Sequence, residues 1–197
     1  MKLTATIRSR GYLPHWESEL AIYFVTFRLA DSLPRELLER LRRERQTIGG
    51  TRQAGTAADR AESSKLRALL QEAERFLDNG LGKCYLRDFR VAKIVADAIR
   101  QFHGQRYRLF AWCVMPNHVH VLFSPLGVHT LERILHSWKS FSALEANRLL
   151  DRTGPFWQRE YFDYLVRNGA ALAKITQYIA ENPQKAGLRN WPWVQVF

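Results

Sequence analysis

The sequence predicts an α+β fold. It reads as a ferredoxin-like β-α-β-β-α-β antiparallel sheet in one domain over residues 1–197, with a charged helical insertion at 31–80 after the first strand and an extra C-terminal helix. Three observations carry this. Four segments rich in apolar, aromatic or β-branched residues alternate with amphipathic stretches in that order once 31–80 is set aside. The middle two are separated only by Met115-Pro116-Asn117, a turn compatible with a hairpin. The chain's 197 residues are 46% hydrophobic, enough for a real core in a single domain.

The first strand is Leu20–Leu29, rich in aromatic and β-branched side chains. Asp31-Ser32-Leu33-Pro34 breaks it and starts a polar helix from about Arg35 to Thr47. Gly49–Gly55 reads as a loop, and a second helix runs from about Arg60 to Asp78 before Gly80 and Gly82 close it. Asp88 is a candidate cap for a helix over Phe89–Phe102. Strands follow at Tyr107–Val114 and His118–Ser124, then a long helix over about Leu131–Leu150 and a strand at Tyr161–Val166. A last helix from about Ala170 is expected to end at Asn182-Pro183, because the position before proline disfavours helix.

The formal net charge is +11, which points to a polyanionic partner, most often nucleic acid. Residues 31–80 contribute only +1 of it, from ten Arg/Lys against nine Asp/Glu, so the basic surface belongs to the body of the domain. No apolar run is long enough to span a bilayer, and the N-terminus lacks a secretory-type apolar stretch. Cys84 and Cys113 form no metal or redox motif, so a reducing cytosol is the expected compartment and Cys113 reads as a core residue.

His118-Val119-His120 is the most informative step of the chain. Residues i and i+2 of a strand share a face, so two imidazoles about 7 Å apart along the strand can converge on one ion. Imidazole suits Zn, Mn, Fe, Ni and Cu alike, and a solvated pair on a half-exposed strand is the bland alternative. On the last helix Tyr178 and Asn182, at i and i+4, share a face and can point a phenol and an amide oxygen at the sheet. A tyrosine there also fits ordinary packing, and Asn before Pro ordinary helix termination.

Three blocks weigh the balance: Pro116–Val121, Phe156–Asp163 and Tyr178–Leu188. In this order and spacing they closely resemble the REP-associated tyrosine transposases, part of the HUH single-tyrosine transposases of insertion sequences, over about Tyr12 to Trp193. HUH denotes two histidines around a bulky hydrophobic residue, here Val119. The resemblance implies a ferredoxin-like fold, Mg²⁺ or Mn²⁺ held by His118 and His120 with Asn182 completing the site, and Tyr178 as nucleophile. It further implies cleavage and rejoining of single-stranded DNA at hairpins of REP-like palindromes through a 5′-phosphotyrosine link, by a monomer or a homodimer.

Candidate DNA contacts are Arg8, Arg10, Lys139, Arg159, Arg167 and Lys185, each alternatively a solvated surface charge. Trp138 and Trp157 are candidates for stacking on bases, with core packing the favoured role for Trp138. Competing readings are a catalytically inactive, domesticated hairpin-binding protein, a relaxase-like nickase and an RNA-binding ferredoxin-like domain. The last would need exposed aromatics where this sheet carries two histidines.

Overall fold

The computed structural model describes residues 6–9, 14–17, 21–50 and 72–197. A short antiparallel hairpin opens the chain, β1 (Thr6–Ser9) with β2 (Pro14–Glu17), in a sheet of its own that the sequence reading lacked. Then come β3 (Ile22–Arg28), α1 (Arg35–Gly50), α2 (described over 72–78) and a 3-10 turn at Tyr85–Arg87. The rest is α3 (Phe89–Arg100), β4 (Tyr107–Val114), β5 (His118–Pro125), α4 (Leu131–Leu149), β6 (Phe162–Val166), α5 (Gly169–Lys185) and β7 (Val194–Val196).

The main sheet has the order β6-β3-β5-β4-β7, with every neighbouring pair antiparallel. Without β7, an edge strand the sequence did not reveal, this is the expected β-α-β-β-α-β topology. The histidine strand β5 is central, bonded to β3 on one side and β4 on the other.

Alternation along β5 divides the molecule. Val119, Val121 and Phe123 enter the main core with Phe27, Val95, Ile99, Leu135 and Trp138, so α3 and α4 cover that face. Each such side chain removed from water stabilises the fold by about 1.5–3 kcal/mol. Leu122 enters a second core with Ala111, Cys113, Met115 and Ile179, so α5 covers the face of the histidines. A bulge between Leu109 and Ala111 inserts a residue into β4, so Leu109 and Trp112 both face the main core while Ala111 and Cys113 face α5.

Side chains cap three helix starts, of which only that of Asp88 was expected. Asp88 accepts from the Arg90 amide at 2.9 Å, Thr130 caps α4 and Asn168 caps α5. Three expected boundaries are corrected. Gly49 and Gly50 lie inside α1 rather than in a loop, and the expected α2 start near Arg60 lies outside the described residues. Helix α3 stops at Arg100 rather than Phe102. Helix α5 does not end at Asn182-Pro183 but runs through Pro183 to Lys185. Proline removes one donor and disfavours helix before it, but near a terminus this costs a single hydrogen bond, and Pro183 is buried. The helix then closes at Gly187 (φ +71°), where Leu188 N–H bonds Pro183 O at 2.9 Å and Gly187 N–H bonds Gln184 O at 3.0 Å.

The insertion packs on itself: Leu33, Leu37 and Leu41 meet Ala73 and Leu77. Its two ends are tied at the sheet. Asp31 accepts from the Lys83 amide at 2.9 Å, and Gly82 (φ +91°) lies so close that a Cβ there would stand 2.6 Å from Asp31 O. Among the described residues no helix is long and apolar enough to cross a membrane.

Candidate active site

The histidine pair is buried, at 1% exposure for His118 and 2% for His120, between the sheet and α5. Their Nε2 atoms face each other at 3.0 Å. Each Nδ1 has its own partner: Asn117 Oδ1 for His118 at 2.8 Å, and Thr26 Oγ1 for His120 at 2.8 Å. Thr26 stands directly across the β3–β5 ladder from His120, which is why the two side chains meet.

The Asn117 amide orientation decides a tautomer. Its Nδ2 donates to Leu81 O at 2.9 Å, so Oδ1 is turned to His118 and accepts from Nδ1–H. Neutral His118 therefore carries its proton on Nδ1 and presents a bare Nε2 lone pair. Burial depresses the pKa of both rings. His118 is held well below the usual imidazole value by burial, then by His120 and Arg28 beside it; burial alone takes His120 down to about 3.

Two neutral imidazoles with Nε2 atoms 3.0 Å apart fit a shared cation, because neighbouring ligands at about 2.1 Å on one octahedral ion stand that far apart. The hydrogen bonds on each Nδ1 are the outer partners that orient such ligands.

Tyr178 is brought to the same place from α5. Its hydroxyl lies 3.5 Å from His120 Nε2, and its ring packs edge-on to both His120 and Phe24. Asn182, 3% exposed and one turn further along, hydrogen-bonds the phenol. Glu74 of α2 accepts a hydrogen bond from the Tyr178 hydroxyl. The phenol's pKa is raised, mainly by burial, then by Glu74 and by Asp78. The fold thus brings together His118, His120, Tyr178 and Asn182. Sequence reasoning missed Thr26, Asn117 and Glu74. Asn117 lay inside a quoted block, whereas Glu74 is one of nine acids in the insertion and nothing local marks it.

The candidate DNA contacts are scattered. Arg159, Arg167 and Lys185 are exposed, and Lys185 also pairs with Glu181 at 2.9 Å. Lys139 is partly buried and donates to the carbonyls of Gln158 and Arg159 at 2.7 and 2.8 Å; burial lowers its pKa to about 8. It lines, with Arg133, His136 and Arg159, a cleft of about 1010 Å³ between α4 and the 154–161 segment. The side chain of Arg8 and all of Arg10 lie outside the described residues. Trp138 is core, as favoured, donating to Tyr107 Oη at 2.9 Å. Trp157 is also core rather than a stacking surface: it is 6% exposed, and its indole donates to Ser142 Oγ at 3.0 Å.

Residues 87–182 match the family described as IS200-like transposases. A putative REP-associated tyrosine transposase of Haemophilus influenzae is 25% identical over 104 residues, which are 44% of this chain and 57% of that protein. The chain therefore aligns with little more than half the length of that relative. The structure of a REP-associated tyrosine transposase bound to a REP hairpin shares the fold, with a TM-score of 0.51 at 16% identity over 95% of this chain and 80% of that one. A putative transposase from Deinococcus radiodurans aligns with a TM-score of 0.37 at 17% identity, over 89% of this chain and 96% of that one. The match over 87–182 takes in both histidines, the tyrosine and its asparagine, so the stretch that carries the candidate site is similar to the IS200-like transposases, and part of the chain is similar to a REP-associated tyrosine transposase.

Proposed function

We propose that this protein is an active tyrosine transposase that cleaves and rejoins single-stranded DNA at hairpins of the REP-palindrome kind, with Tyr178 as nucleophile. His118, His120 and Asn182 would hold Mg²⁺ or Mn²⁺. One observation carries the reading: the Tyr178 hydroxyl lies 3.5 Å from an imidazole nitrogen that itself faces a second at 3.0 Å. A phenol thus stands beside two imidazoles that could hold a cation between them.

The chemistry follows from what each group can do. The Tyr178 oxygen attacks the scissile phosphorus, the bond to the 3′-oxygen breaks, and a 5′-phosphotyrosine and a free 3′-hydroxyl result. A bound divalent ion supplies positive charge to the non-bridging phosphate oxygens. Asn182 orients the phenol from one turn along α5. The phosphotyrosine keeps the bond energy, so a 3′-hydroxyl can reverse the step and no nucleotide triphosphate is needed. Exposed Arg159, Arg167 and Lys185 supply sequence-independent phosphate contacts, with the nucleoid as the place of action. An inactive, domesticated role would not need the orienting bonds that Asn117 and Thr26 make to the two rings.

The test is incubation with a single-stranded hairpin oligonucleotide and Mn²⁺, followed by a denaturing gel. A 3′-label should migrate with the protein and a 5′-label as a shortened free strand. Two unshifted, full-length labels would overturn the reading.

A further inference from the structure

We propose that Glu74 is the group that accepts the phenolic proton of Tyr178, so that the helical insertion, and not the sheet domain, completes the catalytic machinery. This rests on the reading of Tyr178 as nucleophile and goes beyond it.

Elimination around the phenol oxygen leads there. Three groups reach it among the described residues: Asn182, His120 and Glu74. The Asn182 amide cannot take up a proton at ordinary pH. His120 Nε2 is 3.5 Å away and is turned to His118 Nε2 at 3.0 Å, where the proposed cation would occupy its lone pair. The carboxylate of Glu74 is left, already accepting the hydroxyl's hydrogen bond. That is the geometry a general base requires before any question of acidity. Glu74 is itself only partly buried, so a proton it receives can pass on to water.

Its position is supported from both ends of the insertion. Ala73 and Leu77 flank Glu74 in the apolar seam with Leu33, Leu37 and Leu41, which turns Glu74 away from that seam. Just downstream, Gly82 lies against Asp31, Lys83 N–H bonds the Asp31 carboxylate, and Leu81 O accepts from Asn117. A carboxylate on a helix braced in this way is held in register with the nucleophile, as proton transfer at a fixed distance demands.

The step balances. A lone pair of the Tyr178 oxygen forms the new bond to phosphorus while its proton moves to Glu74. The phosphorus–O3′ bond breaks, and O3′ leaves with that electron pair and takes a proton from water. Glu74 then gives its proton to solvent. In rejoining, Glu74 first regains a proton from solvent; a 3′-hydroxyl then attacks phosphorus and gives its proton to water, the bond from phosphorus to the tyrosine oxygen breaks, and Glu74 passes its proton to the departing phenolate.

The test compares full-length wild type with Glu74→Gln and Glu74→Asp, using labelled hairpin and Mn²⁺ in single-turnover reactions, with hairpin affinity from fluorescence anisotropy and folding from thermal melts. Glu74→Gln keeps size and a hydrogen-bonding oxygen, so a merely structural role would leave the rate alone. The expected result is adduct formation slowed about 10²–10⁴-fold with hairpin affinity nearly unchanged. Glu74→Asp, which keeps the base but shortens its reach, should fall between the two, and it decides the matter if the glutamine variant melts early. An unchanged rate, a loss confined to affinity, or faster adduct formation on removing the charge would each overturn the proposal, the last by making the insertion a barrier to phosphate. A wild type that forms no adduct would instead bring down the nucleophile assignment itself.

Discussion

Asn117 accepts a hydrogen bond from His118 Nδ1 at 2.8 Å with one end of an amide whose other end donates to Leu81 at 2.9 Å. One side chain thus sets the tautomer of a candidate cation ligand and pins the end of the insertion. Asn117→Ala should lower Mn²⁺ affinity about 10–100-fold, by titration calorimetry, since the ring loses its orienting partner. It should also cost about 1–3 kcal/mol of stability in urea melts, since Asn117 is fully buried. Unaltered Mn²⁺ affinity would show that His118 needs no such partner.

Tyr178→Phe removes one oxygen from a site otherwise packed by Phe24 and His120. It should abolish the covalent protein–DNA band and leave hairpin affinity within about twofold, since the lost atom is the reacting one. A persisting band would assign the nucleophile elsewhere.

His120→Ala should stop cleavage and spare hairpin affinity, and excess chelator should do the same to the wild type. The variant also leaves Thr26 Oγ1 facing a cavity, so a loss of about 1–3 kcal/mol in stability is expected. Cleavage that continues in chelator would remove the cation from the reading.

Lys139 gives a pH prediction whose sign is fixed. Burial lowers its pKa in the fold to about 8, against an ordinary 10.5, so the folded state favours the neutral amine. The stability this confers is present above pH 10.5 and is lost as pH falls toward 8. Wild-type stability relative to Lys139→Met should therefore rise between pH 8 and 10.5, read by urea melts at each pH. Because its ammonium is engaged by two carbonyls, Lys139→Met should also change the salt dependence of hairpin binding less than Arg159→Ala or Arg167→Ala, each of which should reduce the slope by about 0.7–0.9. A parallel pH response of variant and wild type would refute the burial argument.

Gly82→Ala should destabilise the chain by more than about 1 kcal/mol, because φ is +91° and the added Cβ would meet Asp31 O at 2.6 Å. A lowered melting temperature together with slower adduct formation would report that the base of the insertion positions the site. Full activity in a destabilised variant would separate the two.

Much was legible because the deciding forces are local. Asp88 caps a helix through its own neighbour's amide, and the alternation of β5 sorts Val119 and Val121 from His118 and His120 whatever lies above the sheet. The i, i+4 spacing that joins Tyr178 to Asn182 is likewise a property of a single helix. The proline rule failed at Pro183 because burial and the closing turn at Gly187 outweighed a local preference. Trp157 looked free to stack because nothing near it in sequence announces Ser142.

The sequence by itself determined the order of the four central strands and the helices between them, the face on which two imidazoles stand and the phenol's place on a late helix, since periodicity and spacing act within a few residues. Only the tertiary structure decided which way the Asn117 amide turns, that Thr26 supports His120, and that a glutamate 104 positions away meets Tyr178. Those contacts depend on how separate elements dock, and docking is set by the sum of packing over the whole core rather than by any one stretch of chain.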